Sequence, residues 1–198
     1  RGFLLIMEEP RVDPGEGPAA AVSVKEYPVK ERVVIVDGYN VIRNGERYEQ
    51  VSHEALELAR TGLAEALVSF AGLTGTRVIL VFDGSGRAGG TERSTQIGGL
   101  EVWFSGSGRS ADDLIERTAF ELRQGQEDHE IRVVTGDYAL QNTVFGDEVF
   151  CQSPVEFMKE VDDVRGSFEG KQGRREQTIE GRIDKSVVEA LEHLFSED

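Results

Sequence analysis

The chain has 198 residues, a formal net charge of −15, 38% hydrophobic residues and one cysteine. That length buries enough apolar surface for one sizeable domain, while the acidic balance excludes a generic DNA-coating protein, whose footprint is basic. The single Cys151 excludes an intrachain disulfide framework. The apolar run Phe3 to Met7 is too short for a signal-peptide core or a membrane span; a cytosolic protein with no membrane partner is expected.

Residues 1–31 hold all but one of the prolines among Gly, Ala and Glu, and read as a flexible leader. "RVVIVD" (32–37) is a short apolar run of the kind buried in a parallel sheet. Residues 52–75 form a helix, with Leu56, Ala59, Leu63, Leu67 and Phe70 at helical spacing and Ser52 able to cap it. "TRVILVFD" (76–83) is a second strand. The polar glycine-rich stretch 84–99 reads as a loop, and "LEVWFS" (100–105) as a third strand. Residues 110–125 are a helix with Ser110 and Asp113 spaced as a capping box. "IRVVTGD" (131–137) is a fourth strand, a short helical piece follows from Tyr138, and "EVFCQ" (148–152) is a fifth strand. Ser153, Pro154 and Glu156 open another helix over 153–164.

Strands alternating with helices predict a mainly parallel sheet covered on both faces. The expected organisation is a leader over 1–31, an α/β domain over 32–164, and a charged linker with an amphipathic helix over 165–198. Ile183, Val187, Leu191 and Leu194 form that helix's apolar face. It either packs on its own core or makes a contact with a partner, such as a homodimer.

Three of the strands end in a carboxylate: Asp37, Asp83 and Asp137. In a parallel sheet all strand C-termini share one edge, and ligands bind in the crevice there. Asp112 and Asp113 open a helix that enters from the same edge. A lone Asp after a strand is usually a turn former or a cap, and the capping box accounts for Asp113 by itself. Capping alone does not explain four acids on one edge, and like charges that close repel unless a cation intervenes. Oxygen-only ligands suit Mg²⁺ or Mn²⁺. Such a site can activate water for phosphodiester hydrolysis. The histidines His53, His129 and His193 fall away from this edge and read as surface residues. No Walker lysine and no nucleophile elbow is present.

"VDGYNVI", "VFDG", "SADDLIER" and "VVTGDYALQNTVFG", in that order, resemble the YacP-like NYN domain family, part of the wider group of PIN-like nucleases. The likeness covers residues 32–164. It implies a PIN-like three-layer α/β/α sandwich and a metal-dependent endoribonuclease. Asp37 and Asn40 match the first motif, Asp83 the acidic end of the second strand, Asp112 the helix start and Asp137 the "TGD" acid. The resemblance implies that Asp37, Asp112 and Asp137 hold Mg²⁺ or Mn²⁺, with Asp113 a further ligand or a cap. Asp83 is expected beside them, and Asn40 is expected to orient a ligand or the phosphate. Relatives often carry Ser where Gly136 stands, so a hydroxyl ligand is missing here. Members are bacterial or plastid, which adds the plastid stroma as a location. Some are linked to translation, which adds the ribosome as a partner and translated mRNA as a substrate.

RNA would be met by Arg87 and Arg93 in the glycine-rich stretch and by Arg109 across the crevice. Tyr39 and Tyr138 flank site residues and can stack on bases; for both, core packing under the site is at least as strong an alternative. Two readings compete. A non-catalytic PIN-like module would bind RNA or the ribosome. A phosphatase of the haloacid dehalogenase type would need an acid where Tyr39 stands and a lysine near the later acidic strand.

Overall fold

The computed structural model describes residues 3–7, 24–28, 30–44, 55–84, 92–125, 129–144, 149–172 and 184–196. It divides into two units, residues 1–30 and 31–198. In the first, β1 (Phe3–Met7) pairs antiparallel with β2 (Val24–Pro28), Leu5 facing Glu26. Part of the expected leader is thus regular: its one apolar run finds a strand partner.

The second unit runs β3 (Glu31–Asp37), α1 (Gly38–Asn44), α2 (Leu56–Thr74), β4 (Arg77–Phe82), β5 (Arg93–Ile97), β6 (Leu100–Phe104), α3 (Ala111–Gln124), β7 (His129–Val134), α4 (Tyr138–Val144), β8 (Val149–Gln152), α5 (Pro154–Gln172) and α6 (Lys185–Ser196). The sheet has six strands in the order β5-β6-β4-β3-β7-β8. All pairs are parallel except β5 with β6. The parallel strands are thus doubly wound, and the chain reverses its direction of travel between β3 and β7. That is the point where such sheets open a ligand crevice.

Alternation along each strand sends side chains to opposite faces. Val34, Val36, Val78, Leu80 and Phe82 pack with α2, α5 and α6. Val33, Ile35, Ile79, Val81, Ile131 and Val133 pack with α3 and α4. The three layers expected from the alternation of strands and helices are present.

Four expectations change. The stretch 84–99 contains a strand, β5. Its polar "RSTQI" carries no hydrophobic alternation, because it is an edge strand held by backbone pairing to β6. Helix α2 is capped at Ala55 without a side-chain hydrogen bond; Ser52, the expected cap, lies outside the described residues. His129 is buried, not at the surface, with Nδ1 3.2 Å from Glu31 Oε2 at the N-terminal edge of the sheet. The largest change is at the C-terminus. Helix α5 continues past Gly166 to Gln172, and α6, set outside the α/β domain by the sequence, takes the first of its two alternatives and packs on the core. Leu191 and Phe195 are fully buried. The Phe195 ring meets Phe82 edge-on at 5.6 Å and Phe104 at 6.3 Å. Adding β5 and β6 widens the sheet beyond the cover of α2 and α5, and α6 closes the exposed part of that face. Of the apolar face expected, Leu191 is core, Val187 and Leu194 are half-buried against it, and Ile183 lies outside the described residues.

Truncating a buried aromatic removes its transfer free energy and leaves a cavity. Phe195→Ala should lower the unfolding free energy by about 3–5 kcal/mol, read from the urea midpoint. An unchanged midpoint would mean that α6 does not pack on this face.

Candidate functional site

The carboxylates gather at the C-terminal edge of the sheet, at the reversal between β3 and β7. Asp37 ends β3 and is buried. Its Oδ1 accepts a hydrogen bond from the Asn40 backbone N–H at 3.0 Å, so it also caps α1. Its Oδ2 accepts from the Thr135 hydroxyl at 3.3 Å. Burial pushes its pKa up to about 6, and the negative charges of Asp112 and Asp137 push in the same direction. The Asn40 and Thr135 hydrogen bonds pull the other way, without cancelling the shift.

Asp112 sits in the first turn of α3. Its pKa is raised by desolvation first, then by Asp137, Glu116, Asp113 and Asp83. Asp37, Asp83, Asp112 and Asp137 are therefore electrostatic neighbours, as expected from the strand ends. Asp113 does what the capping box predicts. Its Oδ2 accepts from the Ser110 backbone N–H at 2.9 Å, and the Ser110 Oγ accepts from the Asp113 N–H at 3.1 Å. Those bonds lower the Asp113 pKa.

Asp137 accepts through Oδ1 from the backbone N–H groups of Ala139 (2.7 Å) and Leu140 (3.2 Å), starting α4. Its Oδ2 has no such bond among the described residues. Asp83 accepts through Oδ1 from the Ser105 hydroxyl at 3.1 Å. Ser105 in turn accepts from the Gly84 N–H at 3.1 Å, which fixes the direction of its proton. A Cβ on Gly84 would stand 2.2 Å from the Ser105 carbonyl oxygen, so glycine is required where β4 leaves the sheet.

Asn40 is tied across the reversal. Its Oδ1 accepts from the Gly136 N–H at 2.6 Å and from Asn44 Nδ2 at 3.0 Å. With the amide oxygen occupied twice, the Nδ2 end is left as a donor and the residue is a poor metal ligand. A Cβ at position 136 would lie 2.9 Å from Asn40 Oδ1. Gly136 thus makes room for this bond, and the hydroxyl missing at 136 stands one residue earlier. Thr135 is fully buried; it donates to Asp37 and accepts from the Asp137 N–H at 3.1 Å.

Thr135 and Ser105 were not singled out in the sequence. The only signal for either is its place next to an acidic strand end. A hydroxyl that bonds across to a neighbouring strand is invisible until strand order is known.

Tyr39 takes the packing role. Its ring meets Phe82 at 5.1 Å, edge-on. Its hydroxyl accepts from Arg60, a buried guanidinium lying over both rings. Tyr39 is therefore not available as a stacking platform. Tyr138 is 76% exposed beside Asp137 and is available. Arg109 is exposed before α3, near enough to Asp113 to help lower its pKa. Arg93 opens β5 opposite Phe104, which brings its backbone to the carboxylate edge. The Arg93 side chain and Arg87 lie outside the described residues.

The donor set suits a hard divalent cation: oxygen-only, partly desolvated and mutually repelling. Yet no three Asp, Glu, His or Cys side chains among the described residues stand close enough together to hold a metal ion.

Comparison with known proteins matches this chain to a family. The family model for the YacP-like NYN domain matches residues 34–196, taking in α5 and α6 as well as the sheet. The chain is 31% identical over 155 residues to the protein YacP of Bacillus subtilis (strain 168), covering 78% of this chain and 81% of that one. A crystal structure of Rae1 (YacP) from Bacillus subtilis aligns with a TM-score of 0.60 and 30% identity, covering 72% of this chain and 80% of that chain. A mutant form of the same protein aligns at 0.61 and 26%, covering 82% and 99%.

The raised Asp37 pKa sets a sign for the metal-free protein. Between the unfolded value of about 4 and the folded value of about 6, the native state holds a proton that the unfolded chain lacks. Stability contributed by this group is present below pH 4 and lost as pH rises through 6, by about 3 kcal/mol. In EDTA, Asp37→Asn should therefore be more stable than wild type at pH 7.5, and the gap should close by pH 4. Urea unfolding at the two pH values measures it; a gap that widens on acidification would refute the assignment.

Proposed function

The chain belongs to the YacP-like NYN domain family, a nuclease-type domain, and from that premise we propose that it is a metal-dependent endoribonuclease hydrolysing RNA phosphodiester bonds. One observation carries the reading. Four carboxylates from separate elements share the edge at the sheet's reversal, and burial with mutual repulsion raises two of them, Asp37 to about 6. A fold that accepts this cost without a function is hard to account for, because an unpaired buried carboxylate is destabilising.

In this reading Asp37, Asp112 and Asp137 hold Mg²⁺ or Mn²⁺. The ion would supply Lewis acidity and an activated water when bound. Asp112 has no hydrogen-bond partner among the described residues and is the carboxylate freest to ligate. Thr135 keeps Asp37 oriented and joins it to the Asp137 backbone. Asp83, held through one oxygen by Ser105, presents the other to water. Asn40, fixed through its amide oxygen, offers Nδ2 to a phosphate oxygen. Tyr138 and Arg109 flank the same edge for RNA. Translated mRNA, met on the ribosome, is the substrate context carried over from the family.

One observation favours a second reading, a non-catalytic RNA- or ribosome-binding module: no three described side chains stand at ligating distance. The two readings part on metal. Millimolar Mn²⁺ should raise the melting temperature of wild type, since a ligand that binds only the folded state stabilises it, by about 2.7 kcal/mol at a hundred times its Kd. Asp112→Asn should lose the shift.

The direct test is cleavage of end-labelled RNA, naked and on translating ribosomes, in Mn²⁺ and in EDTA. Cutting should need the metal and disappear in Asp112→Asn. No cutting of either RNA by the folded protein would leave the binding module. Asn40→Asp keeps the acceptor for Gly136 and removes the Nδ2 donor. It should lower kcat by about 10²–10³, the cost of losing one oriented donor; because the added carboxylate repels its neighbours, the melting temperature is compared in Mn²⁺. A wild-type kcat in this variant would remove Asn40 from the phosphate.

A further inference from the structure

We propose that the cleft between α3 and α4 is a subsite for single-stranded RNA, in which a base stacks on Phe120 and the neighbouring phosphate is met by Arg123. The proposal rests on the reading that the chain acts on RNA, and it extends the substrate path away from the carboxylate edge.

The cleft has a volume of about 360 Å³ and is lined by Asp113, Glu116, Arg117, Phe120, Arg123 and Thr143, among others. Both of its walls begin at the site. Helix α3 starts beside Asp112, and α4 follows Asp137 directly. The cleft therefore runs down from the edge where the scissile phosphate would lie. From Asp112 to Phe120 is ~12 Å of helical rise, at 1.5 Å per residue, a span that a short extended single strand can bridge.

Two large aromatic side chains of these helices are exposed: Tyr138, the first residue of α4 (76%), and Phe120, within the cleft (59%). Phe120 is turned away from a core that holds Leu114, Ile115 and Ala119 of the same helix. Exposed aromatic rings in series, next to a cation, are how proteins hold unpaired nucleotides with little sequence preference.

The charges fix which way the strand faces. Arg117 is taken up by Glu92 at 2.5 Å and Glu121 at 3.9 Å, so it braces the wall and is largely neutralised. Arg123 is exposed and has no ion-pair partner among the described residues. Asp113 and Glu116 line the upper part and repel phosphate. The strand therefore passes with its bases turned inward to Phe120. Along the cleft its backbone lies outward and meets Arg123.

The test is fluorescence anisotropy of a short fluorescein-labelled single-stranded RNA with the full chain in EDTA, beside the Mn²⁺ cleavage assay. Phe120→Ala should weaken binding about 5- to 150-fold, the range for losing one base stack. Phe120→Trp should retain affinity, and Phe120→Leu should behave as the alanine variant. Arg123→Gln should reduce the slope of log affinity against log salt by about 0.7, the value for one single-strand phosphate. Because both side chains are exposed, the melting temperatures should stay at the wild-type value.

Wild-type affinity in Phe120→Ala, from a protein that cuts RNA, would overturn the subsite and leave the nuclease reading standing. Phe120-dependent binding by a protein that cuts nothing would uphold the subsite and remove the nuclease. Equal affinity in the tryptophan and leucine variants would overturn the stacking, and no RNA binding by wild type would overturn the subsite altogether.

Discussion

Everything at this edge depends on one buried charge. Asp37 stands where the order of strands reverses, with β4 on one side of β3 and β7 on the other. Two tethers hold it: the Asn40 backbone from its own chain segment and the hydroxyl of Thr135, the residue after β7. Parallel pairing of β3 with β7 ends at Val36 opposite Val134. Past that point the two chains would diverge. The Asn40–Gly136 bond and the Thr135–Asp37 bond continue the connection with side chains, and together they set where Asp137 and α4 begin. A hydrogen bond to a charged acceptor contributes more than a neutral one. Here the two bonds to Asp37 offset only part of the desolvation, which is why its pKa stays high.

The other face of the sheet supplies the rigidity this arrangement needs. Phe82, one residue before Asp83, is at the centre of a ring cluster with Tyr39, Phe104 and Phe195. Tyr39 lies between Asp37 and Asn40 in sequence, so packing its ring fixes the backbone that carries both. Arg60 stacks over Tyr39 and Phe82 and donates to the Tyr39 hydroxyl. Its Nε is buried without a partner; the attraction of a cation for the two ring faces compensates part of that loss. The C-terminal helix enters this cluster through Phe195. A segment that is remote from the site in sequence thus packs directly under the strand ends that form it, and the family match extends just as far, to residue 196.

The sequence made the layer order and the acidic edge legible, because both follow from short-range signals. Apolar runs of strand length alternate with helical periodicity, and an Asp follows three of the strands. The capping box at Ser110 and Asp113 was equally local, and it stands as expected. What stayed hidden depends on partners far away in sequence. Polar β5 is a strand only because β6 offers it an edge. Stacking and packing stayed open for Tyr39 because its partners Phe82 and Arg60 are distant in the chain. Thr135 and Ser105 gain their meaning from acids on neighbouring strands. The amphipathic face of α6 was visible, but its partner was not. The width of the sheet decides that, and the width follows from the missed strand.

The electrostatics of the whole chain fit a division of labour between edge and flank. A chain of net charge −15 repels a polyanion at long range, though salt screens this beyond about 8 Å at physiological ionic strength. Attraction must then come at short range. At the edge it requires that the carboxylates be neutralised, which a divalent cation can do. Along the flank, stacking does not depend on the sign of the charge, and so the aromatic rings Tyr138 and Phe120 suit an acidic surface better than a basic stripe would. The same acids that raise one another's pKa at the edge thus determine what kind of contact can hold a strand beside it. Affinity would depend more on bases than on phosphates, and the phosphate would be gripped where the reaction takes place.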